Sequence, residues 1–190
     1  MVDASRRLLV GISGASGVIY GLEMLKVLQE LGYESHVILS KTARMNFLLE
    51  TEHSIEEVEA AAGKIYDDED LAAPISSGSF LSRGMVVIPC TIKSLSAITH
   101  SYNDNLLVRA ADVTIKERRT LVLVVRETPL HEGHLQLMLA AASRGAVILP
   151  PVPAFYHRPK TILDLIHQTI GKVLDCFQIS HQLFRRWQGA

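Results

Sequence analysis

The stretch GISGASG, residues 11–17, sets Gly11, Gly14 and Gly17 three apart, directly after an apolar run. Small residues there let the backbone approach a ligand closely, and a following helix N-terminus attracts an anion. The spacing is neither the G-x-G-x-x-G of dinucleotide sites nor a P-loop, which needs Gly-Lys-Ser/Thr. A dinucleotide site would also want an acid at the end of the second strand, where Ser40-Lys41 stands instead. A hydroxyl and a cation suit a phosphate or the polar edge of a flavin better than a ribose diol. Thr91, Lys93 and Ser94 follow a third apolar run and offer donors to the same phosphate. Arg126, Glu127 and Tyr156 follow two further apolar runs and add a cation, a carboxylate and a phenol.

Each group also has a plainer reading. A glycine turn can serve tight strand–helix contact alone, and Thr91 and Ser94 can be ordinary helix caps. Arg109 and Lys116 lie seven apart, on one face of a helix, and a solvated face is the default for such a pair. Arg126-Glu127 can be an exposed loop pair, Glu50 the end of a surface helix, and Trp187 a docking anchor.

The elements that must position these residues follow from periodicity. Residues 8–10 predict a buried strand, and the glycine turn opens a helix over 18–31 that Gly32 closes. ESHVILS (34–40) predicts a second strand, and KTARMNFLLE (41–50) has helical spacing. SIEE (54–57) has the form of a capping box for a helix to about 62. KIYD (64–67) is a short strand candidate, 68–84 lacks periodicity, and PISSGSF (74–80) reads as a loop. MVVIP (85–89), TLVLVV (120–125) and AVIL (146–149) are near-continuous apolar runs, which suit strands buried on both faces of a parallel sheet. Helices fill 93–99, 105–117, 133–144 and 161–177, and a polar tail carries Trp187. The alternation predicts an α/β, doubly wound, mostly parallel sheet flanked by helices, as one domain over 1–190. Ligands of such sheets bind at the carboxyl ends of the strands, where GISGASG, SKTAR, PCTIKS, RETPLH and PPVPAFYH all fall.

GISGASG, SKTAR, ISSGSF, IPCTIKSLSAI, RAADVTIKERRTLVLVVRETPLH, GAVILPPVPAFYHRP and RWQGA resemble the flavin prenyltransferases of the UbiX type, in the family's order and over essentially the whole chain. The resemblance implies a Rossmann-like flavoprotein fold and binding of FMN, reduced and used as a substrate. It further implies dimethylallyl phosphate as donor, prenylated FMN as product, and a decarboxylase as recipient of that product. It implies a homo-dodecamer with active sites at subunit junctions. Gly14, Ala15, Ser16, Ser40, Thr91, Ile92, Lys93, Ser94 and Arg126 match flavin-contacting positions. Arg109, Lys116, Tyr156 and Lys172 match positions around the donor phosphate, and Trp187 one that closes over the prenyl group. Lys172 stands where the family often has Arg, and a lysine acts as a point charge where a guanidinium grips bidentately. Ser16, Glu50, Lys116 and Glu127 match catalytic positions, Ser16 near flavin N5 and Glu127 in proton transfer. Two competing functions use the same fold: an FMN-dependent cysteine decarboxylase, and a flavin carrier without catalysis.

Composition narrows the partners. A net charge of −1 with no basic run gives nucleic acid no electrostatic support. No apolar run has the length of a membrane span, and the first residues lack a signal-peptide core. Cys90 and Cys176, the two cysteines, lie far apart in apolar contexts and read as reduced thiols of a cytoplasmic protein, Cys90 buried rather than nucleophilic. His131 and His134 are three apart without a second ligand cluster, so they read as surface or capping histidines and no metal is expected.

Overall fold

The computed structural model describes residues 3–189. Met1, Val2 and Ala190, which the single-domain reading and the terminal RWQGA motif include, lie outside the described residues. Six strands form one sheet: β1 Arg7–Ile12, β2 Glu34–Leu39, β3 Lys64–Tyr66, β4 Gly84–Cys90, β5 Thr120–Val125 and β6 Ala146–Ile148. Their order is β3-β2-β1-β4-β5-β6, and every neighbouring pair is parallel. The helices are α1 Ile19–Glu30, α2 Lys41–Glu50, α3 Ile55–Ala61, α4 Ile92–Thr99, α5 Leu106–Lys116, α6 Glu132–Ser143 and α7 Ile162–Cys176.

Strand alternation sorts the helices into two layers. Leu8, Val10, Ile12, Val86, Ile88, Val122 and Val124 point to one face, against α1, α3 and α7. Leu9, Met85, Val87, Leu121 and Leu123 point to the other, against α4, α5 and α6. This is why the strands read as continuous apolar runs rather than alternating ones.

Several boundaries differ from the sequence reading, each for a physical reason. Gly11 belongs to β1, paired with Ile38 and Val87, rather than to the turn. A Cβ there would sit 3.1 Å from Leu107 Cγ, so this glycine serves helix–sheet contact and not a ligand. Cys90 is the last residue of β4 rather than the first after it, fully buried, with burial pushing its thiol up to about 12. Only half of the capping box at 54–57 forms. Ser54 Oγ accepts the Glu57 N–H at 3.3 Å, but the Glu57 carboxylate turns to His53 Nδ1 at 2.6 Å. A reciprocal box forms instead at Thr161 and Asp164, opening α7. Residues 68–84, without periodicity, hold a single 3-10 turn at Pro74–Ser76, and Arg119 bonds the carbonyls of Gly78 and Phe80 beside it.

His36 on β2 is a buried titratable group outside the candidate site. Its Nδ1 lies 2.8 Å from the Tyr66 hydroxyl, its ring meets Phe80 edge-on at 4.8 Å, and Glu34, Arg7 and Lys64 surround it. Burial pushes the imidazole below its ordinary value of 6.5, outweighing the attraction of Glu34. The unfolded chain therefore binds the proton more readily than the folded one. The stability this group contributes is present above 6.5 and is lost as pH falls below that value. Urea midpoints measured from pH 8 to pH 5 should fall on the acid side, and His36→Gln should flatten that slope. An equal slope in both proteins would refute the assignment.

Candidate active site

The strand order reverses between β1 and β4, so the chain leaves these two carboxyl ends in opposite directions and opens a crevice. A cleft of about 540 Å³ lies there. Ser13 and Gly14 line it after β1, Ser40, Lys41 and Thr42 after β2, and Thr91, Lys93 and Ser94 after β4. Asp68, Glu69, Asp104 and Asn105 form the opposite wall.

Three helix N-termini border this cleft, and two of them, those of α2 and α4, carry hydroxyl caps. Ser40 Oγ accepts the Ala43 N–H at 3.1 Å at the head of α2, and Thr91 Oγ1 accepts the Ser94 N–H at 3.0 Å at the head of α4. Capping readings and ligand readings of these residues are therefore compatible. Ser13 joins the two sides: its hydroxyl donates to the Pro89 carbonyl at 2.9 Å and accepts the Thr91 N–H at 2.9 Å. Both bonds are shielded from water, with Ser13 2% exposed. By contrast, the Lys41–Glu69 ion pair across the mouth is exposed to 80% and 69%, so water screens it and it contributes little to closing the cleft.

The glycine turn is pinned from α2. Asn46 Nδ2 donates to the Gly14 carbonyl at 3.1 Å, and the Glu50 carboxylate accepts the Gly17 N–H at 2.7 Å. One helical turn separates the two side chains, so they present from one face. Gly14 is required by close approach: an ideal Cβ there would lie 2.4 Å from Thr42 Cβ. Gly17 has φ +90°, a conformation that favours glycine. On the far wall, burial raises the Asp68 carboxyl above its ordinary value, against the bond it accepts from the Leu107 N–H at 3.0 Å.

The sequence-derived residues fall into several places. Gly14, Ser40, Thr91, Lys93 and Ser94 line the cleft together, with Ala15 buried and Ser16 exposed on the adjoining turn. Glu50 touches that turn rather than the cleft. Ile92 faces a second hollow of about 640 Å³ between α4 and α6, which Lys93 also lines. His131 borders that hollow as the N-cap of α6, accepting the Gly133 N–H at 3.1 Å. Arg126 and Glu127 leave the carboxyl end of β5, where the Arg126 N–H bonds the Cys90 carbonyl at 3.0 Å. Both side chains are exposed there. Arg109 lies in the first turn of α5 with Nε on the Ser76 carbonyl at 3.0 Å. Lys116 ends α5, roughly 15 Å from the cleft-lining head of that helix at 1.5 Å per residue, beside Arg118 and Arg119. Tyr156 and Trp187 meet edge-on at 6.3 Å in a third hollow of about 380 Å³. Lys172 lies on α7, 3.4 Å from Asp175. One chain thus brings Gly14, Ser40, Thr91, Lys93 and Ser94 together in the cleft, and sets Ile92, Lys116, Tyr156 and Trp187 in other hollows.

Sequence reasoning missed Ser13, Asn46 and Asp68. Ser13 lay inside the quoted GISGASG and was legible as the first residue after β1, once Gly11 is placed in the strand. Asp68 had no signal, because its segment has no period.

These groups suit FMN. Hydroxyls, helix N-termini and two ammonium groups surround a wall into which a side chain at position 14 would intrude, as a bound phosphate and polyol chain require. Among the described residues, no group of three or more His, Cys, Asp or Glu is placed to hold a metal ion. The flavoprotein family profile matches residues 2–178. The flavin prenyltransferase UbiX of Escherichia coli (strain K12) is 59% identical over 188 residues, 97% of this chain and 100% of that protein. A UbiX crystal structure in complex with FMN and dimethylallyl pyrophosphate matches with TM-score 0.96 and 46% identity, over 98% of this chain and 99% of that one. A dodecameric FMN-dependent UbiX-like decarboxylase from Escherichia coli O157:H7 matches with TM-score 0.94 and 46% identity, over 96% of this chain and 100% of its own. The peptidyl-cysteine decarboxylase EPID shares the fold at TM-score 0.68, with 13% identity over 90% of this chain and 98% of that one.

Proposed function

The chain belongs to the flavoprotein family, and within it to the flavin prenyltransferases; from that premise we propose how its own residues divide the reaction and what it assembles with. It is a flavin prenyltransferase with FMN as the flavin. The likeness to the cysteine decarboxylase is one of fold alone at 13% identity, and a carrier without catalysis has no counterpart in these prenyltransferase relatives. The observation that carries the reading is the cleft at the β1–β4 switch point, lined on one side by hydroxyls, helix N-termini and two ammonium groups, with Asp68, Glu69 and Asp104 on the other.

The donor is dimethylallyl phosphate, and the bonds formed are to N5 and C6 of the flavin. Bound reduced FMN supplies the nucleophile. Gly14, Ala15, Ser16, Ser40, Arg126 and the 91–94 segment bind the flavin, with Ser16 hydrogen-bonding near N5. Arg109, Lys116, Tyr156 and Lys172 take the leaving phosphate, whose negative charge grows as the allylic C–O bond breaks. Glu127 holds and moves a proton near the ring. Glu50 acts on the flavin through the turn that it pins at Gly17. Trp187 covers the prenyl group.

Separation of these groups within one chain supports an assembly in which copies complete each other's sites. Lys116 sits at the end of α5 away from the cleft, and Tyr156 with Trp187 in a separate hollow. Large apolar side chains stand exposed on α2 (Met45, Leu48, Leu49) and before and at the start of α7 (Val152, Phe155, Ile162). A homo-oligomer, dodecameric like the UbiX-like relative, covers them. The product passes to a prenylated-FMN-dependent decarboxylase. Among the described residues no helix is long and apolar enough to cross a membrane, which fits the proposed cytoplasmic location.

Anaerobic incubation with reduced FMN and dimethylallyl phosphate should raise the flavin's mass by one isoprene unit. A parallel reaction with dimethylallyl pyrophosphate, the compound bound in the UbiX relative, should run more slowly. Unmodified flavin in both arms would refute the function, and preference for the pyrophosphate would refute the donor.

A further inference from the structure

Residues 177–189 form no helix or strand, yet they place Trp187 against Tyr156. Phe177 and Ile179 are buried and fix the start of this segment. Its later half is held by one carboxylate. Asp175, at the end of α7, receives Arg186 at 2.6 Å on Oδ1 and 3.0 Å on Oδ2, a bidentate, charge-assisted grip. His181, with its side chain 1% exposed, contacts the same Oδ1 through Nε2 at 3.1 Å. Its Nδ1 accepts the Leu183 N–H at 3.3 Å, which sets the tautomer that donates to Asp175. Phe184 then lies over Gly171, its ring 2.5 Å from where a Cβ would stand, and Arg186 lies over Phe184 at 5.5 Å. Trp187 is the next residue. Asp175 also meets Lys172 at 3.4 Å.

We propose that Asp175 is a positioning residue for the donor end of the site: through Arg186 and His181 it seats the C-terminal segment on α7, and so holds Trp187 against Tyr156. The proposal rests on the reading that puts Tyr156, Lys172 and Trp187 at the donor. Arg186 and the His181 bond hold the Asp175 carboxyl down at about 2, so the anchor is charged at any working pH. One carboxylate between Lys172 and Arg186 leaves a surplus positive charge beside the Tyr156–Trp187 hollow, where Arg158 and Arg185 add to it. An anion is thereby favoured in that hollow even while the anchor is formed.

Trp187 is the only tryptophan, so its emission reports the seat directly. In Asp175→Asn it should shift to longer wavelength and become easier to quench with acrylamide, while Asp175→Glu restores part of the native signal. The KM for dimethylallyl phosphate should rise about 3- to 10-fold, the scale of losing one partly exposed charge-assisted pair, with FMN affinity unchanged. Arg186→Ala, which alters an exposed side chain, should act in the same direction and covers the case in which Asp175→Asn folds poorly. Native Trp187 emission in Arg186→Ala would overturn the proposal. Displaced Trp187 with an unaltered KM would overturn its donor half. If Trp187→Ala and Tyr156→Phe also left KM unaltered, the donor assignment itself would fail, and the emission result for the anchor would stand apart from it.

Discussion

Glu127→Gln should stop the reaction between its two bonds. Bond formation at N5 breaks the allylic C–O bond; the phosphate departs onto cations and takes up the proton that N5 releases, so this step needs no carboxylate. Ring closure is different in kind: the carbon at the far end of the allyl group joins C6, the alkene gains a proton, and C6 loses one. A positioned acid–base group must therefore accept a proton and give one up close to the ring. Glu127 leaves the carboxyl end of β5, the strand tied to β4 by the Arg126 N–H on the Cys90 carbonyl. It accepts the Thr128 N–H at 3.1 Å and is otherwise open at that edge. Glutamine keeps the shape and removes the base, so overall conversion should fall by ~10²-fold or more. The singly bonded flavin should accumulate. It is an isomer of the finished product, so absorbance and chromatography must separate the two, because mass does not. Rapid formation of the cyclised product by the variant would remove Glu127 from the proton path.

Gly14→Ala should abolish most flavin binding while leaving the sheet intact. The new Cβ would stand 2.4 Å from Thr42 Cβ and Cγ2 and 3.2 Å from the Thr42 carbonyl carbon. The first two atoms sit close to the backbone in the first turn of α2, so a rotamer change does not relieve the contact. Either α2 or the glycine turn must move, and the Asn46 bond to the Gly14 carbonyl goes with it. Overpacking of this kind costs ~1–3 kcal/mol, and roughly 1.4 kcal/mol corresponds to a tenfold change in affinity. FMN affinity should accordingly drop ~10- to 100-fold in a fluorescence titration. The two core layers on the sheet do not include position 14, so circular dichroism should be unchanged. Native affinity in the variant would show that the flavin does not use this wall.

The fold was legible because the four central strands, β1, β2, β4 and β5, are buried on both faces, so there the sequence pattern and the layer pattern are the same thing. Boundaries failed where a residue serves two partners. Gly11 looked like turn chemistry but is a strand residue lying under Leu107, and Glu57 looked like a cap but bonds His53. That Gly14, Ser40, Thr91, Lys93 and Ser94 share one cleft was legible from one rule, that ligands gather where parallel strands end. Ser13 escaped because the glycines around it drew the reading, and Asp68 because an irregular segment carries no period. The donor-side roles of Arg109, Lys116, Tyr156 and Lys172 come from family resemblance alone. No periodicity states that Lys116 and Tyr156 lie in separate hollows of one molecule.

On α2, Asn46 and Glu50 grip the glycine turn, while Met45, Leu48 and Leu49 stand 58%, 70% and 74% exposed on the outer side of the same ten-residue helix. A helix this short shifts as a rigid rod, so whatever buries the outer stripe also fixes the turn. By reciprocity, the free energy that association lends to the flavin site must be returned as tighter association once flavin is bound. In the proposed assembly, flavin affinity is then a property of protein concentration as well as of sequence: dilution loosens the flavin, and flavin opposes dilution.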